Sequence, residues 1–553
     1  MPKVRSRLIV ALLALTLAPL SLNPNVDAQR SAIDTYAITN ARIVTVTGPV
    51  IERGTVVIRN GLIAAAGANV NAPPDARVID GTGLTVYPGL IDSYTNLALP
   101  EAAPSPSPAG GPGAFFAAPP PRPAAGPNST QPVGLQPEVM VEDVIRPGGN
   151  EIESSRSVGV TTALTLPRSG IWMGQSALIN LEGDTPQQMI VRSPVAMHVG
   201  FTPLRGTYPG SLLGVFATLR QMMLDAQRYR DSMQIYERNP RGTRRPDTDR
   251  SLAALVPVIE GRMPVVMLAN SEREINRALD LAAEFKLRLI IAGGREADQV
   301  AERLAKQNVP VLLSLNLPRR TAAAIPEADP EPMRVLRERV EAQQTAGKLV
   351  KAGVRFAFQS GSLTDMSDLF VNARRVIENG LQAADAVRAF TIWPAQILGV
   401  ENQLGSVEAG KIANLTVTRG DLFDRNSRVA HVFIDGRPVD LRPPGGGPSR
   451  GNLSGTWTVN VNLGQGDRAI TLTLQQEAER LTGSIAGPLG AGEISNASFS
   501  GGEVRFTAAL NVEGQTKEAT FTGRFANNEI RGSVTIPGAT PGTFTATRSA
   551  QPN

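Results

Sequence analysis

Pro264-Val-Val-Met-Leu-Ala-Asn270 is a short apolar run. Ser271 to Phe285 follows it with Ile275, Ala278, Leu279 and Ala282 at helical spacing, and Leu287-Arg-Leu-Ile-Ile-Ala-Gly-Gly294 is apolar again. Together they read as strand, helix, strand, because a short run that is apolar throughout fits a strand buried on both faces. The rhythm extends outward. Further strand candidates are Val160-Thr-Thr-Ala-Leu-Thr-Leu166, Pro194-Val-Ala-Met-His-Val-Gly200, Val309-Pro-Val-Leu-Leu-Ser-Leu315 and Val354-Arg-Phe-Ala-Phe-Gln-Ser-Gly361. Arg295 to Lys306 is a second helix candidate. This alternation from Val139 to about Gly399 predicts an α/β fold, a (β/α)8 TIM-like barrel.

The flanks differ. Residues 36–86 form a β-like meander with a hairpin turn at Asn60-Gly61, and β character returns over 397–440. Glu101 to Glu138 is rich in Pro, Ala and Gly and reads as a disordered insertion, since it has too little apolar surface to offset its ordering entropy. A linker over 441–450 leads to an all-β unit at 451–553, a small barrel or sandwich. Its opening Gly455-Thr-Trp457 is similar to the G-x-W start of lipocalin-like barrels, which implies a tryptophan packed at one barrel end or, failing that, a site for a small apolar ligand.

At the N-terminus, a basic start with Lys3, Arg5 and Arg7 precedes an apolar run, Leu8 to Leu22. Val26-Asp27-Ala28 then offers small residues for cleavage before Gln29. Residues 1–28 read as a signal peptide, which places the mature protein in the periplasm or outside the cell, with no membrane span after cleavage.

The 553 residues include no cysteine and two histidines, His198 and His431. That excludes disulfides, thiolate metal sites, a cysteine nucleophile and any site needing three histidines. With 55 Lys and Arg against 50 Asp and Glu, the charge is too balanced to imply nucleic-acid binding.

Three stretches carry a family resemblance. Pro88-Gly-Leu-Ile-Asp-Ser-Tyr-Thr-Asn-Leu97 resembles the P-G-L-I-D-x-H-x-H of the amidohydrolase superfamily, near its imidazolonepropionase-like members. Gly159-Val-Thr-Thr162 is the second. Thr391-Ile-Trp-Pro-Ala-Gln-Ile-Leu-Gly399 with Leu404-Gly-Ser-Val-Glu-Ala-Gly-Lys-Ile-Ala-Asn-Leu415 is similar to T-x-N-P-A-x-x-L-G and L-G-S-I-x-x-G-K-x-A-D-L. The resemblance implies a barrel over 88–396 and one composite β-sandwich built from 29–87 and 397–440.

It also implies hydrolysis of non-peptide C–N bonds by zinc or another divalent metal, which activates a bound water. Carried over residue by residue, the HxH positions fall on Tyr94 and Asn96, the strand-five histidine on Leu268, the strand-six histidine within Ala292-Gly-Gly294, and the strand-eight aspartate on Gly361. Leucine and glycine offer no side-chain donor, and a phenol of ordinary pKa about 10 is protonated at neutral pH. The metal centre is therefore expected to be lost, with no cofactor. His198 is a structural residue or, failing that, a ligand contact or a general base; His431 is read as structural and Asp92 as scaffold.

Three functions remain open. One is an exported, non-catalytic amidohydrolase that binds a small molecule or assembles with itself or an active homologue. The second is a working C–N hydrolase with a relocated or metal-free site. The third is an envelope-associated binding protein acting through its C-terminal unit.

Overall fold

In the computed structural model, residues 35–100, 131–204, 208–318, 331–441 except 362 and 364, and 453–548 with short breaks are described. Residues 1–28, read above as a signal peptide, residues 101–130 of the Pro-rich insertion and most of the linker lie outside them. The end of that insertion is built into the fold: Leu135 is buried and bridges to Trp172.

Strands β1 (Thr35–Ile43), β2 (Ile51–Arg59), β3 (Leu62–Gly67), β4 (Arg77–Asp80) and β5 (Leu84–Pro88) open the chain. The barrel strands are β6 (Leu90–Thr95), β7 (Val160–Thr165), β8 (Trp172–Gln175), β9 (Ala177–Asn180), β10 (Ile190–Arg192), β11 (Met197–Val199), β12 (Val265–Ala269), β13 (Leu289–Gly293), β14 (Val311–Ser314) and β15 (Phe356–Gln359). After them come β16 (Leu415–Arg419), β17 (Arg428–Ile434) and β18 (Arg437–Val439).

Both flanks share one eight-stranded sheet, joined where β16 pairs antiparallel with β5 and Thr416 sits opposite Tyr87. The expected sandwich is this sheet curled on itself. A bridge between Leu62 and Ile412, with Ile63 N–H donating to the Lys411 carbonyl at 2.8 Å, brings β3, at one edge, back to the segment that leads into β16. Ile38, Ile58, Val86, Val417 and Phe433 fill the fold.

Strands β11 to β15 run parallel in order, as do β6 and β7. Between β7 and β11 lies an antiparallel stave. β9 pairs with β7 and β8 with β11, Ser176 alone separating the two. β15 meets β6 through Ser93 Oγ, which donates to the Phe358 carbonyl at 2.7 Å. The barrel thus has eight staves among the described residues, one of them antiparallel.

Alternation along each strand assigns the two faces. Val266, Ile290, Leu312 and Ala357 fill the lumen, while Met267, Ile291, Leu313 and Phe358 pack outward against the helices. The helix Glu272–Phe285 shows why the chain alternates. Ser271 caps it, Glu274 completes a reciprocal capping box, and Lys286 ends it in a left-handed conformation. Arg295 to Lys306 forms a 3-10 turn, Ala297–Val300, running into the helix Ala301–Lys306.

The C-terminal unit is a nearly closed antiparallel barrel of nine strands among the described residues, from Gly455–Asn462 to Gly542–Arg548. Trp457 is fully buried; its Nε1 donates to the Leu453 carbonyl at 2.9 Å and the Arg548 guanidinium lies 4.9 Å from its ring centre. Phe506, Phe521 and Phe544 fill the interior beside it. Core packing therefore accounts for Trp457.

Candidate functional site

In a barrel of parallel strands, the C-terminal strand ends carry the chemistry. Tyr94 and Leu268 reach the lumen there, packed against its apolar lining. His198, next to last in β11, lies on the same face as Ala196, and its ring centre is 5.8 Å from that of Tyr94. The structure therefore brings Tyr94, His198 and Leu268 together.

Asn96 and Gly361 stand apart from these three. Asn96 donates from Nδ2 to the Leu166 carbonyl at 2.7 Å, which ties its amide to the end of the neighbouring stave. Gly361 has φ +63°, its carbonyl accepts from Asn316 Nδ2 at 3.1 Å, and a Cβ there would overlap Ser314 Oγ. A side chain of any kind at 361 needs both the left-handed backbone and the Ser314 hydroxyl to give way. His431 lies on β17 opposite Val417, far along the chain from these strand ends, and is half-buried.

The electrostatics of the mouth are unusual. His198 is 1% exposed, and neither ring nitrogen has a partner. Burial pushes its imidazole down to about 3, so it is neutral at physiological pH. Burial also raises the Tyr94 phenol, which stays protonated. Asp92 is the residue that sequence reasoning set aside. It is 3% exposed; Oδ1 accepts from the Ser360 N–H at 3.0 Å, and Oδ2 has no partner. Burial pushes its carboxyl up to about 6 against those hydrogen bonds. A lone acid in an apolar strand reads as scaffold, and nothing in the sequence marks the empty half of its carboxylate.

This donor set does not fit the divalent metal of the resembling family. One neutral imidazole, one protonated phenol and one neutral amide oxygen stand where four or five anionic or imidazole ligands are needed. Among the described residues, no group of three His, Asp or Glu side chains is placed to hold an ion.

The amidohydrolase family model matches residues 213–439. A solved amidohydrolase from Thermotoga maritima MSB8 is 25% identical with a TM-score of 0.61, covering 73% of this chain and 99% of that one. Shorter matches reach two curated proteins. N-acetylglucosamine-6-phosphate deacetylase of Haemophilus influenzae is 35% identical over 78 residues, 14% of this chain and 19% of that protein. An enamidase of Eubacterium barkeri is 38% identical over 61 residues, 11% of this chain and 16% of that protein. The chain spans less than a fifth of either curated relative in these matches. The fold, the scaffold motifs at both ends of the barrel and these likenesses agree, and the chain belongs to the amidohydrolase superfamily.

Proposed function

We propose that this is an exported, non-catalytic amidohydrolase that uses its barrel mouth to bind a small molecule or a partner subunit. The carrying observation is the substitution at the mouth. Leu268 and Gly361 have no donor, Asn96 offers only a neutral amide oxygen, its Nδ2 being tied to Leu166, and Tyr94 and His198 are uncharged. Hydrolysis in the family runs through a metal-activated water, and the residues at this mouth do not supply the ligands that such a metal needs. The basic start and apolar run at the N-terminus support export.

An intact scaffold around an apolar mouth keeps what recognition needs: a rigid concavity with a few polar groups. A degenerate subunit that completes an interface of an active homologue fits the same observations. Calorimetric titration of the dialysed protein with zinc tests the reading. Heat no greater than that of a surface-charge control agrees with it. A stoichiometric, sub-micromolar site lost in His198→Ala would overturn it and favour the working hydrolase. Pull-down from the native envelope then separates partner from small molecule, according to whether a homologous chain co-purifies.

A further inference from the structure

Beside the lumen, the end of β6 meets the helix Asn150–Ser157 and the segment after β15. A cavity of about 480 Å³ opens there. Asp92, Asn96, Glu151 and Arg168 supply its polar side, and Leu363 and Met366 part of its apolar side. Asp92 is the unusual member. Its Oδ1 is engaged by Ser360, while Oδ2 is buried and bare, and no cation pairs with it among the described residues. A buried carboxylate with an unsatisfied oxygen is costly unless something supplies a donor and a countercharge.

The Ser360 side chain hydrogen-bonds the Asp92 carboxyl, but no neighbour supplies the countercharge or a donor to Oδ2. Arg168 is exposed at the rim and donates from Nη2 to the Leu99 carbonyl at 3.5 Å. Glu151 is exposed in the first turn of the helix and adds a second carboxylate to the lining. The Asn96 amide is committed to Leu166. Two carboxylates against one guanidinium leave the lining short of one positive charge. An anionic ligand would meet Asp92 and Glu151. A bare metal ion would find too few oxygens within reach of Asp92. An organic ammonium answers the deficit, because it brings both N–H donors and a single charge.

We propose that this cavity binds a small organic cation, a primary or secondary ammonium on an apolar body. The ammonium donates to Asp92 Oδ2, which is buried in the unliganded chain and must turn to the cavity wall on binding, and the body lies against Leu363 and Met366. This site does not rest on the non-catalytic reading of the lumen, since neither His198 nor a metal takes part.

Three ring compounds of one size separate the terms: benzylamine, benzyl alcohol and benzoate, titrated at pH 7.5 into the full mature chain and followed by calorimetry and thermal shift. A charge-assisted hydrogen bond is strong enough for benzylamine to bind about tenfold more tightly than benzyl alcohol, with benzoate weaker than both. Asp92→Asn keeps an acceptor for Ser360 and removes the charge, so the amine and the alcohol become equal. Leu363→Trp fills the cavity without touching Asp92 and weakens all three compounds, and the melting curve of each variant shows that it folds. Equal binding of amine and alcohol by the wild type overturns the proposal, as does a preference for the amine that survives in Asp92→Asn. Failure of benzylamine to bind at tens of millimolar, roughly the weakest affinity such a contact would give, overturns it too. Asn96 belongs to both the mouth and this cavity, so the titrations use protein dialysed free of metal, and this test and that of the lumen then fail separately.

Discussion

The two ends of the barrel treat buried polar groups in opposite ways. At the closed end, Asn414 Nδ2 donates to Asn180 Oδ1 at 2.7 Å and to Thr162 Oγ1 at 3.0 Å, while its own Oδ1 accepts from the Asp435 N–H at 2.9 Å. Four segments distant in sequence are tied there, and the network fastens the barrel to the curled sheet. At the open end, both nitrogens of His198 and one oxygen of Asp92 are buried without partners. Paired polar groups specify the architecture; unpaired ones lower stability in the isolated chain. The contrast separates the end that holds the fold from the end that is free to recognise something.

The largest effect is expected at the closed end. Asn414→Ala strands the Asp435 amide, leaves Thr162 and Asn180 with the bond they make to each other at 3.2 Å, and should destabilise the barrel by about 4 kcal/mol in urea unfolding. A loss under ~1 kcal/mol would mean that the network does not clamp the sheet.

Next comes Asp92, with the sign reversed. Its carboxyl is pushed up to about 6 in the fold, so the folded state holds the proton more tightly than the unfolded chain. The stability this contributes is present at pH 4 and is lost as pH rises through 6. Asp92→Asn should therefore stabilise the protein by about 3 kcal/mol at pH 8 and by nothing at pH 4. A destabilised variant at pH 8 would show that Oδ2 has a partner after all.

His198 gives a smaller effect of the opposite pH sense. Its imidazole is pushed down to about 3, so stability present above pH 6.5 is lost on acidification. His198→Phe should remove about 2 kcal/mol of the wild type's loss between pH 7 and pH 5, read from denaturation midpoints at each pH. Asp92 and His198 then partly cancel in the wild type, and the two single variants have acid limbs of opposite slope. The smallest change is expected for Tyr94→Phe, within about 0.5 kcal/mol, because the ring fills the lumen and the hydroxyl carries no structural bond there. A larger loss would assign Tyr94 to the architecture rather than to the mouth.

Much of the barrel was legible because its strands are short and apolar and because Ser271 and Glu274 mark a helix start. The antiparallel stave was not. Trp172 to Asn180 is buried on both faces, carries Gln175 and Asn180 for pairing, and so shows no period of two. The helix Leu212–Arg238 was missed for a related reason: its second half has few buried residues and leaves Ile235 exposed. Positions 94, 96, 268 and 361 followed from the motifs, but their divergence did not. Asn96 turns to Leu166, and Gly361 is hemmed in by Ser314. Asp92 was unreadable because its environment depends on Ser360, 268 residues away.

Metal stoichiometry tests the central claim most directly. The mature protein, expressed with zinc, dialysed against metal-free buffer and analysed by plasma mass spectrometry, should carry well under about a tenth of an ion per chain, as expected of a mouth with a single neutral imidazole and, among the described residues, no three-ligand group. One or two ions per chain, released together when His198 is replaced, would contradict the account and return the barrel mouth to hydrolysis.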